Sequence, residues 1–441
     1  MAVSSVSSRR RRPNGPVGFA VYDPLYGAIE VPTWLRPVVL STEMQRLRDI
    51  RLINTSSPYF AGLSDTRRFT HSVGVLHLGL AAMPRLRQSF SDRELRALLV
   101  ACLVHDVGTP PFAHVFEYLL KVNFGWTHEA MLRRILTGQF DRNPFYEQIY
   151  YDASRTLYRA LAKIGVDGCE VADLVEGRGV LSKFIAGVLD LDNLDNVYRM
   201  SVMLGQSDRP AEAVQLASSI DVVDGTLSID RDAAELVSRW VQNRRTAYEV
   251  LALDESSLSG QAMLTDCLEQ SIASGAIGPA DWMLTDELLL RNFGTDIHDA
   301  DHDVRAIIKR FALGDYYQPV LIGRYFGEGG FKLDLRQPDV RRQMVADLKH
   351  ALGRPCSVYV LYDRGTFEKS VTLMVDREIT TFSHQSQSTI VGVFTPSRAA
   401  ATRRQRFAAR EVLETYGLRW SDVFTSVRHG DDQGDQLELA L

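Results

Sequence analysis

Apolar residues recur at intervals of three and four over most of the chain between Phe19 and Leu321, which predicts amphipathic helices. The segment SDRELRALLVACLV shows this pattern clearly, because Ser91 and Glu94 have the spacing of a capping box and an apolar face follows them. The same periodicity predicts helices in RRFTHSVGVLHLGLAAM, HEAMLRRIL, DAAELVSRWVQNRRTAYEVL and DVRAIIKRFAL.

The pattern changes after the glycine-rich GRYFGEGG. Runs rich in β-branched residues predict strands at CSVYVLY, SVTLMVD and STIVGVFT, with a turn at Asp363 to Gly365. Helices are predicted on either side of these strands, through DVRRQMVADLKHAL and SRAAATRRQRFAAREVLETYG. We therefore expect a mainly α fold, a helical bundle with a smaller C-terminal α+β region.

These patterns divide the chain into four parts. We expect a disordered basic tail with the Arg9 to Arg12 run at residues 1–18 and an acidic tail at residues 428–441. The helical core is expected at residues 19–321 and the α+β region at residues 322–427.

Composition is typical of a folded globular protein, with 45% hydrophobic and 24% charged residues among 441. The longest strongly apolar run, ALLVACLV, is much shorter than the ~20 residues that cross a bilayer, so no membrane association is expected. The N-terminus lacks the apolar segment of a signal peptide, and the four cysteines have no paired spacing, so we expect a cytoplasmic protein. A formal net charge of -5 does not favour nonspecific nucleic-acid binding.

Candidate chemistry is concentrated in one part of the chain, because five of the ten histidines lie between His71 and His128. His71 lies in a predicted helix, His105 and Asp106 lie where a buried helix breaks, and carboxylates cluster in LDLDNLDN near residue 190. Imidazoles and carboxylates that converge from separate helices form sites for divalent cations. The adjacent residues His105 and Asp106, the HD pair, by themselves more often have a structural role, with Asp106 as a helix cap and His105 as a hydrogen-bonded core histidine.

The order of the motifs RRFTHSVGV, HDVGTPPFAHVFE, THEAM and DLDNLDN resembles that of the HD-domain metal-dependent phosphohydrolases. The closest resemblance is to their deoxynucleoside triphosphate triphosphohydrolase branch, which includes enzymes that join a SAM domain to the HD domain. We expect no SAM domain before Phe19. Further matching segments extend the resemblance to about residues 20–320: DPLYGAIEVPTWLRPVVLSTEMQRLRDI, RRTAYE, MLTDELLL and VRAIIKRFALGDYY.

The resemblance implies a metal held by His71, His105, Asp106 and Asp192. Ligands of these types suit Fe, Mn, Co, Ni or Zn, and Mg is a further candidate that accompanies the substrate phosphates. Metal-bound water has a lowered pKa and is a suitable nucleophile for phosphoester hydrolysis.

The resemblance also implies roles for residues around the metal. His114 and Glu117, spaced i and i+3, match a catalytic pair beside the leaving group. His128 matches a histidine that contacts phosphate, although helix-start packing beside Thr127 is the alternative. Arg68 matches an arginine that lies against phosphates.

For two aspartates and two histidines, the sequence leaves open whether the role is structural or lies in the site. Asp195 has the i, i+4 spacing for a salt bridge with Arg199, so a structural role and a role in the site are equally favoured. Asp190 is a candidate for orienting a metal-bound imidazole. His298 and His302 in DIHDADHD are more typical of a solvated acidic turn than of a metal site.

The chain departs from the family where the family contacts polyphosphate and sugar. Tyr248 still matches an aromatic residue at the nucleoside site, whereas Glu249 replaces a glutamine and is able to accept from an exocyclic amine. Such changes alter which nucleotide is accepted. The other candidate substrate contacts of unexpected residue type are Thr109, Asn193, Asn196, Met200 and the pair Leu52 and Ile53.

The resemblance therefore implies a metal-dependent nucleotide phosphohydrolase, similar to dNTP triphosphohydrolases, that acts on a purine nucleotide, deoxy or modified. A nucleoside 5′-monophosphate phosphatase is the alternative within the enzymes. A nucleotide-sensing regulatory HD scaffold is the alternative from another class. A homo-oligomer, dimer or tetramer, is expected because the family assembles through its helical core.

Overall fold

A computed structural model describes nine segments of the chain: residues 18–54, 57–140, 143–207, 209–295, 302–326, 334–364, 369–384, 387–419 and 423–425. Residues 1–17 of the predicted basic tail, the predicted acidic tail at residues 428–441 and His298 lie outside these segments. Among the described residues, no helix is long and apolar enough to cross a membrane.

The N-terminal region is mainly helical, as predicted. Two short antiparallel hairpins accompany its helices: β1 (Phe19–Asp23) with β2 (Gly27–Val31), and β3 (Asp221–Val223) with β4 (Thr226–Ile229). The helices are α1 (Arg36–Val39), α2 (Thr42–Arg46), α3 (Ala61–Ser64), α4 (Arg68–Leu86), α5 (Asp92–Val104), α6 (His114–Phe124), α7 (His128–Leu136), α8 (Pro144–Ile149), α9 (Leu157–Ile164), α10 (Gly168–Val175), α11 (Leu191–Met203), α12 (Ala211–Ser219), α13 (Ala234–Leu253), α14 (Glu255–Ala273), α15 (Asp286–Thr295) and α16 (His302–Ala312).

Helix α4 is the centre of this region, because it packs against α5, α11 and α12. The predicted capping box starts α5: the Ser91 hydroxyl accepts from the amide of Glu94, whose carboxylate accepts from the amide of Ser91. Nine residues of α5 are buried, from Leu95 to Val104, so this helix ends inside the core at His105. The buried end of α5 thus brings the HD pair beside α4 and α11.

The C-terminal region is an α+β unit. In chain order its elements are β5 (Gln318–Phe326), α17 (Pro338–Leu352), β6 (Ser357–Arg364), β7 (Val371–Val375), β8 (Glu378–Ser383), β9 (Gln387–Thr395), α18 (Arg403–Thr415) and β10 (Val423–Thr425). Four of the strands form an antiparallel sheet with the order β10-β5-β9-β6, which is the split β-α-β arrangement.

Both faces of this sheet are covered. Val358 and Val360 pack with α17 and α18, whereas Tyr359 and Leu361 alternate to the opposite face and join the core of the helical region. Helix α14 contacts β5, β6 and β9 on that face. The C-terminal region therefore shares a hydrophobic core with the helical region.

The hairpin β7–β8 is inserted between β6 and β9 and belongs to a different sheet. Strand β7 pairs in parallel with β4, with Ser228 opposite Met374 and Ile229 opposite Val375, so the second sheet has the order β3-β4-β7-β8. Backbone hydrogen bonds thus join the insertion to the helical region.

Several local predictions need correction. Asp363 lies within β6, because its strand continues to pair with β9 up to Arg364, so the predicted turn does not begin there. The last predicted helix starts at Arg403, where the Thr402 side chain caps the amide of Gln405. His302, expected in a solvated turn, is the first residue of α16. The sequence patterns also did not predict β1 to β5, β8 or β10.

Candidate metal centre

His71, in the first turn of α4, is fully buried and is held by a chain of charges. Its Nδ1 donates to Asp195 Oδ2 at 2.6 Å, and Arg199 donates to both oxygens of Asp195 at 2.8 and 2.9 Å. Arg199 reaches Asp23 Oδ2 at 3.0 Å. Burial raises the pKa of Asp195, but Arg199 and His71 outweigh it and lower this pKa to about 2. This chain of charges fixes the ring so that Nε2 faces His105 and Asp192.

Asp195 therefore has both roles that its sequence position suggested. It forms the i, i+4 pair with Arg199 and it orients His71. The prediction that Asp190 orients an imidazole is wrong, because Asp190 is the N-cap of α11 and accepts from the amide of Asn193 at 2.6 Å.

Gly74 makes room for this arrangement. A Cβ atom at this position, one turn after His71, would collide with Asp195 Oδ1 and Arg199 Nη2. The glycine in RRFTHSVGV was a signal that the sequence analysis did not use. The close approach of α11 to α4 depends on it.

His105 ends α5 and is oriented by the backbone. Its Nδ1 donates to the carbonyl oxygen of Cys102 at 3.0 Å, so its Nε2 also faces inward, 3.2 Å from Nε2 of His71. The reading of His105 as a satisfied core histidine thus accounts for one of its ring nitrogens only.

Asp106 has one satisfied oxygen and one unsatisfied oxygen. Oδ1 accepts from Arg68 Nη1 at 2.6 Å and from Thr109 Oγ1 at 3.0 Å. Oδ2 is buried without a hydrogen-bond partner, 3.6 Å from His105 Nε2 and 3.8 Å from His71 Nε2. Burial alone would raise the pKa of Asp106, but Arg68 and the two histidines hold it well below its usual range. Asp106 is thus a buried carboxylate with a free oxygen directed at two imidazoles.

Asp192, from the first turn of α11, completes the cluster. Its Oδ1 lies 2.9 Å from His71 Nε2 and 3.7 Å from His105 Nε2, and it accepts from Asn196 Nδ2 at 2.8 Å. Its side chain is 30% exposed, whereas that of His71 is fully buried, so the cluster opens to solvent on this side. The structure therefore places ligand atoms of His71, His105 and Asp106 within 4.8 Å of one another and Asp192 beside both imidazoles. The assignment of these four residues to a metal stays a prediction.

His114, Glu117 and His128 form a second polar group. Glu117 Oε2 accepts from His114 Nδ1 at 3.1 Å, and Oε1 accepts from His128 Nδ1 at 2.6 Å. The desolvation of His128 opposes its charge, but Glu117 outweighs this effect and raises the pKa of His128 to about 9. The His114 side chain is 72% exposed, so it is accessible to a ligand. The expected contact between His114 and Glu117 is confirmed, and His128 also begins α7 beside the capping Thr127.

The loop that carries His114 has an unusual backbone. Phe112 and Ala113, directly before His114, have positive φ angles of 53° and 45°. Residues from distant parts of the chain hold this loop. Arg46 Nη2 donates to the carbonyl oxygens of Val107 and Thr109 at 2.9 and 2.8 Å. The Phe112 amide donates to Asp286 Oδ1 at 2.9 Å. The sequence analysis missed Arg46 and Asp286, because each is distant in sequence from the motif that it supports.

The predicted substrate contacts already have protein partners. The hydroxyl of Thr109 and the amide of Asn196 bind the two ligand carboxylates. Asn193 Oδ1 accepts from Arg244 Nη1 at 2.7 Å, and the Arg244 guanidinium lies 4.6 Å from the ring centroid of Tyr248. The sequence analysis missed Arg244.

Glu249 also has partners, because its Oε1 lies 3.4 Å from Arg245 Nε and 3.5 Å from Arg324 Nη1. The residues that differ from the family at the sugar position form an apolar cluster beside Tyr248: Leu52, Ile53 and Met200 with Phe60, Leu63 and Ala247.

A family model for the HD domain matches residues 68–164. The chain carries an HD domain. The matched segment includes His71, His105, Asp106, His114 and His128, so the HD domain supplies three of the four predicted ligands and both histidines of the second polar group.

The chain is also similar to curated proteins. It is 23% identical over 320 residues to the deoxynucleoside triphosphate triphosphohydrolase SAMHD1 homolog of Dictyostelium discoideum. The aligned region covers 68% of this chain and 59% of that protein. It is 32% identical over 118 residues to deoxynucleoside triphosphate triphosphohydrolase SAMHD1 of Homo sapiens, 25% of this chain and 19% of the human protein. The chain thus spans less than two thirds of these relatives.

A crystal structure of a phosphohydrolase from Bacteroides thetaiotaomicron has the same fold, with a TM-score of 0.63 at 17% identity over 86% of this chain and all of that one. The predicted resemblance of the HD domain is confirmed. The HD-domain match and the named relatives support the prediction of a metal-dependent phosphohydrolase, whereas the solved structure shows the fold alone.

Replacing Asp106 with alanine tests the metal assignment. The change removes the unpaired oxygen, so we expect purified D106A to lose its bound metal, measured by elemental analysis, while its circular dichroism keeps the helical signal. A protein that retains one metal per chain after this change would contradict the assignment.

Replacing Gly74 with alanine tests the packing of α4 against α11. An alanine in place of a helical glycine normally stabilises a protein by up to about 1 kcal/mol, but here the Cβ would displace Asp195 and Arg199. We expect G74A to lower the free energy of unfolding by about 1–3 kcal/mol and to reduce metal content. Gly62 in α3 is the control, because a Cβ there makes only ordinary contacts, the nearest at 3.7 Å. Equal or higher stability of G74A would refute this packing argument.

Proposed function

We propose that this chain is a metal-dependent nucleotide phosphohydrolase of the dNTP triphosphohydrolase type, acting on a purine nucleotide, deoxy or modified. The buried and unpaired Oδ2 of Asp106, beside Nε2 of both His71 and His105, carries the proposal. A buried carboxylate oxygen without a partner is costly unless it binds a cation.

The residues present fit a divalent cation. His71, His105, Asp106 and Asp192 would hold it, and two neutral imidazoles with two carboxylates would balance its charge. Imidazole and carboxylate donors suit Fe, Mn, Co, Ni or Zn, with Mg as a further candidate alongside the substrate phosphates. When bound, such a cation lowers the pKa of water and offsets charge on phosphoryl oxygens.

The protein's own groups supply positioning and proton transfer. Glu117 accepts from Nδ1 of His114, which leaves Nε2 of this exposed ring to give a proton to the leaving oxygen. His128, whose pKa Glu117 raises to about 9, is a cation at neutral pH and suits contact with a phosphate. Arg68 holds Asp106 in place through its Nη1, and its role against phosphate stays part of the proposal.

A nucleoside 5′-monophosphate phosphatase is the second candidate. Thr109 and Asn196 bind the carboxylates of Asp106 and Asp192, and Asn193 binds Asp190 and Arg244. These side chains are therefore engaged within the protein, which favours a substrate that places only one phosphate at the metal. The nucleotide-sensing scaffold remains the alternative that predicts binding without turnover.

The nucleoside side of the proposed site is partly apolar. Tyr248 lies beside the cluster that contains Leu52, Ile53 and Met200, so this wall offers packing instead of hydrogen bonds to a sugar. Glu249 contacts two arginines, and its proposed role toward an exocyclic amine requires that it exchange one of them for the base. A homo-oligomer, dimer or tetramer, and a cytoplasmic location remain part of the proposal.

Product analysis distinguishes the candidates. Purified, metal-loaded protein is incubated with nucleoside mono-, di- and triphosphates, and the released phosphate species are identified by phosphorus NMR. Tripolyphosphate with a nucleoside is the expected product for the leading proposal, and orthophosphate from a monophosphate would support the phosphatase. Binding without any released phosphate would favour the scaffold.

Replacing His114 with alanine tests the acid–base assignment. We expect H114A to lower kcat by about 10²- to 10⁴-fold, as loss of a general acid does, with metal content unchanged. Normal kcat in H114A would contradict the assignment.

Replacing Glu117 with glutamine provides a graded comparison. It removes the charge that raises the pKa of His128 but keeps the shape of the side chain. We expect a smaller loss than for H114A and an alkaline limit of activity that moves to lower pH, because His128 then loses its proton earlier.

A further inference from the structure

We propose that Lys369, contributed by the C-terminal region, is a positioning residue for the substrate side of the HD site. The proposal rests on the proposed function, because it concerns how the nucleotide is held. Lys369 lies two residues before β7, and its backbone carbonyl oxygen accepts from the Ser383 hydroxyl at 2.6 Å. Its base is thus fixed to the β7–β8 hairpin.

The Lys369 ammonium binds the connection that leads into α11. Nζ donates to the carbonyl oxygen of Gly187 at 2.6 Å and lies 3.4 Å from Asp190 Oδ2. The Asp190 side chain is 2% exposed, and among the described residues Lys369 is the cation that pairs with it. A buried carboxylate that loses its cation is strongly destabilised, so this pair matters more than a surface salt bridge.

Asp190 links Lys369 to Asn193, one of the predicted substrate contacts. Its oxygens accept from the Asn193 amide nitrogen Nδ2 at 2.9 Å each, which fixes the orientation of the Asn193 side chain. Asn193 Oδ1 in turn accepts from Arg244, whose guanidinium lies over Tyr248. A continuous path therefore runs from the inserted hairpin to Arg244 and Tyr248, beside but not through the four candidate metal ligands.

Another ion pair between the hairpin and the helical region, Arg231 with Asp376, has no such path. Arg231 Nε lies 3.0 Å from Asp376 Oδ2, and both side chains are largely exposed. Arg231→Ala therefore weakens the docking of the hairpin without touching Asp190 or Asn193. It is a matched control for Lys369.

The test is a double-mutant cycle with Lys369→Met and Asp190→Asn. Asparagine is as good an N-cap as aspartate, so D190N keeps the cap of α11 while it removes the charge. We expect K369M to raise KM for the best nucleotide about tenfold, the loss typical of a charged hydrogen-bond partner, with kcat and metal content nearly unchanged. In D190N, the added K369M change is expected to have little effect, because no buried charge then needs the ammonium.

Two further variants separate positioning from folding. Lys369→Arg is expected to restore KM to within about twofold, since it keeps the charge. R231A is expected to leave KM unchanged. Thermal unfolding of each variant identifies any that fails to fold, and Lys369→Gln then replaces K369M.

Equilibrium binding of inorganic triphosphate, measured by calorimetry in the same four proteins of the cycle, keeps this test independent of turnover. If the protein hydrolyses no nucleotide, the proposed function fails, but the binding cycle still decides the role of Lys369. Additive effects of K369M and D190N, unchanged affinity in K369M, an equal loss in R231A or no triphosphate binding at all would each overturn the proposal.

Discussion

The candidate metal centre depends on one buried charge, the carboxylate of Asp106. Arg68 and Thr109 satisfy its first oxygen, and the second has no partner among the described residues except two imidazoles at 3.6 and 3.8 Å. Burying a charge costs several kcal/mol unless it is compensated. Each of the two imidazoles has its other nitrogen already occupied, which is the arrangement that the proposed cation requires.

The C-terminal region is part of the same structure and is not a separate module. Its sheet shares a core with α14, and its inserted hairpin pairs in parallel with β4. Lys369 and Arg324 reach α11 and α13 from this region, next to Asn193 and Tyr248. The proposed substrate contacts therefore depend on residues far along the chain, whereas the candidate metal ligands depend on α4, α5 and α11.

Local sequence determined much of the helical pattern, and the resemblance to the HD-domain proteins supplied the candidate metal ligands. The period of apolar residues and the capping box at Ser91 predicted α5, and the break after it placed His105 and Asp106 at a buried helix end. These features were readable because helix periodicity, capping and ligand spacing are set by neighbouring residues. The short edge strands were not readable in this way, since their stability comes from pairing with distant partners.

Tertiary structure alone decided how the ligands are oriented. The local pattern does not show which of Asp190 and Asp195 orients His71, and only the crossing of α4 and α11 makes Asp195 the partner of His71. Arg46 and Lys369 were equally hidden, since each acts through contacts more than 60 residues away in sequence. A sequence pattern shows which polar side chains the protein contains. The orientation of a buried polar side chain is set by the hydrogen-bond partners that packing places next to it.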